Sequence, residues 1–357
     1  MANPGAYVSI PQILLAGQRD ADLSDNVVSI MIEETIEGLF RCEIVLNNFG
    51  MRPGGRMDYL FFDRNKLDFG KDIGIRLGPG TPPTQLFSGR ITALEAEFPA
   101  GGGSRIVVLA EDRLQDLRMT RRTRSFEDMS DADIIKKIAN EHGLQPSGGP
   151  TGPKHKCMTQ VNQSDLAFVR ERARAISAEV WVNDTTMNIK PRTGQSGAAI
   201  ELAYGASLFA FQVRADLAHQ CTELTVSGWD VASKETIKEK ATSSLVSNEL
   251  GGGVLGGNAL NKAFGVRKAS IVHTVPLTSA EARSIAEARY RERARRFVTG
   301  SAEAEGNAGI RVGVTVQLSE LGSMFSGQYY VTRAMHLFDV ANGYRTEFDV
   351  ESPKIAR

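Results

Sequence analysis

Asp72-Ile73-Gly74-Ile75-Arg76-Leu77, then Phe87-Ser88-Gly89-Arg90-Ile91, a tip at Gly101-Gly102-Gly103, and Ile106-Val107-Val108-Leu109 form one unit of this chain. A similar unit lies near the other end. It runs Gly313-Val314-Thr315-Val316-Gln317-Leu318, then Phe325-Ser326-Gly327-Gln328-Tyr329-Tyr330-Val331, a tip at Ala341-Asn342-Gly343, and Tyr344 to Val350. Each reads as strand, loop, long strand, tight turn, long strand. The strand residues alternate or are β-branched, and the turns carry the Gly or Asn-Gly that a positive φ favours. The recurring Phe-Ser-Gly predicts matching places for Phe87 and Phe325 and for Gly89 and Gly327, with Gly103 and Gly343 at the tips. A glycine inside a strand marks a bulge or a close backbone approach. A chain with two like units can offer two equivalent faces to a symmetric partner.

Outward from these units the pattern changes twice. Val27 to Ile32 and Phe40 to Leu46 are strands, the second with Phe40, Cys42, Ile44 and Leu46 on one face. Ser130 and Asp133 form a capping signal for a helix carrying Ile134, Ile135, Ile138 and Ala139, with Gly143 as its stop. A second helix starts at Ser164 with Leu166, Val169, Ala173 and Ile176 in a stripe. Short strands follow up to Leu202. Residues 232–268 are rich in Gly, Ser, Lys and Asn, with Gly251-Gly252-Gly253 and Gly256-Gly257, and read as a mobile loop. Thr278-Ser279-Ala280-Glu281 opens a helix with Ala282, Ala286, Tyr290, Ala294 and Phe297 on one face, ended by Gly300.

The expected fold is therefore mainly β with α+β insertions. A first β-barrel domain spans 1–118 and an inserted small α/β domain 119–204. A second, discontinuous β-barrel domain spans 205–231 and 300–353, and a helix-plus-loop insertion spans 232–299.

Bulk properties limit the function. A chain of 357 residues is long enough for two to four domains. Lys+Arg and Asp+Glu both total 42, so there is no basic excess of the kind nucleic-acid binding needs. Three cysteines, Cys42, Cys157 and Cys221, are too few and too widely spaced for a disulfide framework; Cys42 and Cys221 sit in apolar patterns and read as buried thiols. Met1 to Gly5 carries neither the charged nor the apolar region of a signal peptide, and no apolar window reaches membrane-span length.

Candidate sites are sparse. Arg118, Arg121, Arg122 and Arg124 read as a solvated connector in preference to an anion or partner patch. Glu33-Glu34 reads as surface charge. Of His142, His155, His219, His273 and His336, none stands at metal-ligand spacing, and His155 with Cys157 is a weak metal hint only. No GxSxG, P-loop or helix-opening GxGxxG is present. No catalytic residue, metal ligand or cofactor is assigned. Trp229, after Gly228 at a strand exit, reads as buried and structural, as does Trp181.

Several stretches resemble a known family. Ser130 to Ile135, His142-Gly143-Leu144 and Gln163 to Ala173 are similar to the inserted domain of phage late control gene D proteins, tail hubs of contractile phages and injection systems. Leu224 to Asp230 with Ser233-Lys234, Ser279 to Gly300, Gly327 to Val331, and His336 to Thr346 resemble further parts of that family in the same order. The resemblance implies a structural hub: a homotrimer forming a pseudo-sixfold ring between a hexameric tube protein and a central spike. Baseplate or wedge proteins would be further partners, with no nucleic acid and no membrane span. It implies assembly in the cytoplasm and residence in a virion tail or injection particle. Unlike VgrG-type fusions, the sequence shows no OB-fold or β-helix spike before Arg357, so the spike is expected from a separate polypeptide. Two rivals are a tail-associated cell-wall-degrading enzyme, for which no motif-supported acid or nucleophile pair is seen, and a carbohydrate- or receptor-binding module, which would need exposed loop aromatics.

Overall fold

The computed structural model describes residues 10–52, 54–150, 152–192, 198–230, 233–272 and 276–356. The readings at Met1 to Gly5 and His273 lie outside the described residues. The architecture is mainly β with a few helices. No helix among the described residues is long and apolar enough to cross a membrane.

The chain begins with β1 (Gln12–Leu15), β2 (Gln18–Arg19) and α1 (Ala21–Asp25), followed by β3 (Val27–Thr35) and β4 (Arg41–Asn47). A small hairpin, β5 (Phe49–Met51) and β6 (Met57–Tyr59), precedes β7 (Asp72–Leu77), β8 (Thr84–Glu97) and β9 (Arg105–Glu111). Alternation decides the faces: Cys42, Ile44 and Leu46 of β4 are buried while Arg41 is exposed. These strands close over one hydrophobic cluster containing Ile13, Ile32, Ile75, Phe87 and Val108.

Next come β10 (Arg121–Ser130), α2 (Asp131–Glu141), β11 (Gln145–Gly148), β12 (Lys154–Ser164), α3 (Asp165–Ala175), β13 (Ala178–Asn183) and β14 (Thr186–Pro191). Ser130 caps α2 reciprocally with Asp133, and Ser164 caps α3 through the Ala167 amide, as the sequence indicated. Both helices pack on a second cluster built around Ile134, Ile138, Phe168 and Ile189. Arg118, Arg121 and Arg122 are exposed, as the solvated reading has it, but Arg122 and the half-buried Arg124 also pair with a buried acid. Arg121, Arg122 and Arg124 open β10, antiparallel to β12, and Arg122 and Arg124 reach the buried Asp165 carboxylate at 3.2 and 2.9 Å. That carboxylate, sunk at the start of α3, needs cationic partners in place of water.

The third stretch comprises β15 (Ile200–Ala203), β16 (Leu208–Ala215), β17 (Glu223–Asp230), β18 (Glu235–Thr242), β19 (Val254–Leu255), α4 (Gly256–Phe264) and β20 (Lys268–Ile271). The chain closes with α5 (Ser279–Arg295), β21 (Val298–Glu305), β22 (Thr315–Ser319), α6 (Gly322–Phe325), β23 (Gly327–Asp339), β24 (Gly343–Ser352) and β25 (Lys354–Ile355). Two more clusters form here. One lies among β16 and β21–β24, around Val298, Val316, Val331 and Phe348. The other joins β17, β18 and α5 through Leu224, Ile237, Ala286 and Tyr290.

Within 232–268 the loop reading is corrected at 235–242, a strand, and at 256–264, a helix; residue 232 lies outside the described residues. Residues 235–242 pair along their whole length with β17, and Ile237 and Ala241 point into the core. Lysines on the outward parity masked that alternation. The glycines of α4 serve packing, not flexibility: a Cβ on Gly256 would lie 2.7 Å from Phe297 Cγ, and one on Gly257 2.9 Å from the Tyr290 hydroxyl. Gly300 does not end α5 either; the helix is capped at Arg296, and Gly300 lies inside β21.

Candidate functional site

One sheet carries both β units, in the order β16-β21-β24-β23-β3-β4-β9-β8-β7-β1-β2, with β22 on β23 and β15 on β22. Two six-strand paths emerge: β3-β4-β9-β8-β7-β1 and β16-β21-β24-β23-β22-β15. The first five strands of each path correspond in direction and register, whereas the sixth differs: β1 lies antiparallel to β7 and β15 parallel to β22. In the first path Ile91 faces Ala110 and Ala93 faces Leu109, leaving Thr92 as a bulge. In the second Val331 faces Val350 and Arg333 faces Asp349, leaving Thr332 as the bulge. Each bulge threonine donates its hydroxyl to the carbonyl of the same partner position, Leu109 or Asp349. Glu97 facing Arg105 then corresponds to Leu337 facing Arg345. This places Gly103 and Gly343 at equivalent tip positions. A second bulge recurs between Val27 and Ser29 of β3 and between Leu208 and Ala210 of β16.

That register corrects the expected overlay of Gly89 and Gly327. Gly89 faces Ile73 and Gly327 faces Leu318, both on the second strand of the repeat, but two residues out of step. By the bulge alignment Gly89 corresponds to Tyr329, and Gly327 to Phe87. Their surroundings differ accordingly. A Cβ on Gly89 would lie 2.2 Å from the Glu111 carbonyl oxygen, whereas one on Gly327 would meet nothing within 4 Å. Phe87 is buried, while Phe325 ends the short helix α6 and is only half-buried. The Phe-Ser-Gly recurrence is coincidental; the duplication lies in the strand pairing.

The two units meet where β23 pairs antiparallel with β3, from Arg333 facing Thr35 to Asp339 facing Ser29. Directly paired residues share a face, so the sheet has two distinct surfaces. The inner one holds a polar seam. Arg311 forms an ion pair with the fully buried Glu34 and donates to the Leu86 carbonyl at 3.1 Å, so a side chain of the second unit is bonded to two groups of the first. The Val312 amide also donates to Glu34 at 3.3 Å. His336, buried beside them, shares a 2.8 Å hydrogen bond with the Tyr344 hydroxyl. Glu34 is therefore not surface charge. Its inward parity with Ile30 and Ile32 was the available signal.

Burial, and then the Arg311 charge, push His336 down to about 3 from 6.5. The unfolded chain takes up a proton at a pH where the folded chain does not, so this group's stabilisation is complete above pH 6.5 and fades as pH falls toward 3. Near pH 4.5 the loss is expected to reach about 2–3 kcal/mol. Urea titrations from pH 7 to 4.5, with His336→Gln alongside, check this; equal acid sensitivity in both proteins would refute it.

The opposite face is charged and laced by ion pairs. Glu33 is paired with both Arg41 and Arg333, Arg345 reaches Glu303 at 2.7 Å, and Arg105 reaches Glu97 at 4.0 Å. Elsewhere a cleft of about 870 Å³ lies between α3, α5 and the strands β16, β21 and β24. Arg192 bridges Glu179 and Glu351 there and sits 4.0 Å over the Tyr330 ring, while Arg295 holds Glu249. The bond to Glu351 and the contact with Tyr330 tie the inserted unit to the second β unit. His155, of the weak metal hint, has its ring nitrogens 3.0 Å from Asp131 and 2.9 Å from Glu281. Those bonds, Asp131 first, hold its pKa above the ordinary value and tie α5 to the inserted unit. Trp229 is 48% exposed, which corrects the buried reading. Leu224 and Val226 set the inward parity of β17, and Trp229 falls on the other. Trp181 is half-buried against the first unit's cluster.

A family model described as Alg8 N-terminal domain matches residues 7–339. The chain belongs to that family. No curated protein matches it. Among solved structures, this Alg8 N-terminal domain chain is similar to the 43 kDa tail protein of prophage MuSo2 from Shewanella oneidensis. The identity is 11%, covering 97% of this chain and 98% of that one, with a TM-score of 0.70. A tail protein from Neisseria meningitidis MC58 is comparable, at 12% identity, 97% coverage of each chain and a TM-score of 0.69. The Escherichia coli c3393 protein is described as a type VI secretion component structurally similar to T4 phage tail proteins gp27 and gp5. It matches at 10% identity over 97% of this chain and 79% of that one, with a TM-score of 0.60. At such identities the likeness establishes the fold, which this Alg8 N-terminal domain chain shares with phage-tail and tail-like secretion proteins.

Proposed function

We propose that the chain is a structural hub subunit of a contractile phage tail or a tail-derived injection machine, close in kind to late control gene D proteins. Three copies form a ring whose six β units dock on a hexameric tube, with a separate spike protein on the other side. The ring is assembled in the cytoplasm and carried in the finished particle. The observation that carries this reading is the in-register duplication: two five-strand antiparallel units side by side in one sheet repeat strand order, two bulges and tip positions. A chain built from two like units is suited to matching a sixfold partner with three copies. Likeness in fold to tail proteins supports it.

The test is the mass of the full chain in solution, alone and co-expressed with a tube protein and a spike protein. Light scattering is expected to give the mass of three chains, at least with a partner present. A monomer under every condition would overturn the ring.

A further inference from the structure

The in-chain junction carries information about a second, unoccupied edge. At the junction, the half of β23 beyond its bulge pairs with β3. In the first unit the counterpart of β23 is β8; in the second unit the counterpart of β3 is β16. Among the described residues, β8 from Thr92 onward pairs with β9 alone, and β16 is the terminal strand of the sheet, paired with β21. Both edges leave backbone donors and acceptors unpaired, the condition for strand addition. Their side chains are accessible: Glu95, Ala96, Glu97, Gln212, Arg214 and Ala215 are exposed, and Phe98, with its ring centroid 6.2 and 5.8 Å from those of Tyr59 and Phe62, is still 64% exposed.

We infer that β16 of a second copy of this chain adds antiparallel to the free half of β8, in the register of the in-chain junction. Phe338 faces Ile30 in the chain, so Phe98 faces Phe211 between copies. Met335 faces Glu33, so Glu95 faces Arg214. Leu94, Ala96 and Glu97 face Ala215, Val213 and Gln212. The inference rests on the ring reading and gives it residue-level form.

The predicted contacts are complementary in charge and in apolar character. An acid meets a base on the charged face, and two aromatic rings and two small apolar pairs meet on the core face. The buried seam has no counterpart: Ala215 stands where Glu34 would be. The copy-to-copy step is thus looser than the in-chain step, which suits subunits that fold before they assemble.

The test uses the full chain with the exposed Cys157 replaced by serine. Under mild oxidation, Glu97→Cys with Gln212→Cys is expected to give covalent dimers and a closed trimer on non-reducing gels. Either single substitution, and the off-register pair Glu97→Cys with Phe209→Cys, is expected to give none. Independently, Glu95→Arg is expected to weaken association about tenfold or more through like-charge opposition, and adding Arg214→Glu to restore it. An unchanged melting temperature shows that these surface variants fold. Trimers by light scattering without in-register cross-linking, or with equal cross-linking off register, would overturn strand addition and leave the ring standing. Absence of any oligomer, with or without tube and spike, would overturn both.

Discussion

Glu34→Ala is expected to lower stability by about 3–5 kcal/mol, because it strands the Arg311 guanidinium beside a desolvated, uncompensated site. Glu34 is 1% exposed, and its carboxylate meets Arg311 and the Val312 amide, both from the second β unit. The substitution therefore removes a charge pair, an amide acceptor and a link across the junction. Isosteric Glu34→Gln keeps the volume and one acceptor and is expected to cost less. Replacing the pair together, Glu34→Leu with Arg311→Met, is expected to recover much of the loss, since a buried ion pair and a packed apolar pair are often close in free energy. Urea denaturation of the four proteins measures this directly. A loss below about 1 kcal/mol for Glu34→Ala would show that water reaches the seam, making it a surface ion pair.

The particular residues show why some of this was legible in the sequence. Helix starts were, because a cap is a local event: Ser130, Ser164 and Thr278 each bond an amide three residues on. The strand and tip pattern of each unit was legible for the same reason, since alternation and turn glycines act over a few residues. Strand order was not. The contact that joins the units, Arg333 to Glu33 at 2.7 Å, spans 300 positions, and nothing local in either strand names its partner. Composition misled at residues 232–268, where glycine signalled close packing and lysine covered an alternating strand. Size misled at Trp229, where a large aromatic suggested burial and the phase of Leu224 and Val226 dictated exposure. The bulges at Thr92 and Thr332 were invisible, because a bulge is a property of two strands and not of one.

Gly89→Ala and Gly327→Ala are expected to part company by several kcal/mol, although both glycines follow Phe-Ser. The Gly89 Cβ position lies 2.2 Å from the Glu111 carbonyl oxygen and 2.6 Å from Phe87 Cζ. Phe87 can shift only by disturbing the first cluster, and Glu111 is paired backbone that also faces Arg90 and Arg41. The strands must therefore separate, at a cost of about 3 kcal/mol or more, the upper end for overpacked sites. Gly327 opens β23 with no atom within 4 Å of its would-be Cβ. There the alanine loses no contact and narrows the unfolded ensemble, so a change within about 0.5–1 kcal/mol, stabilising if anything, is expected. Thermal and urea unfolding of the two variants decide between two views of the repeat. If they lose stability equally, the glycines occupy equivalent places and the motif is the unit of duplication. If only Gly89→Ala is damaged, equivalence resides in the bulges at Thr92 and Thr332, the register from which the free edge of β8 is read.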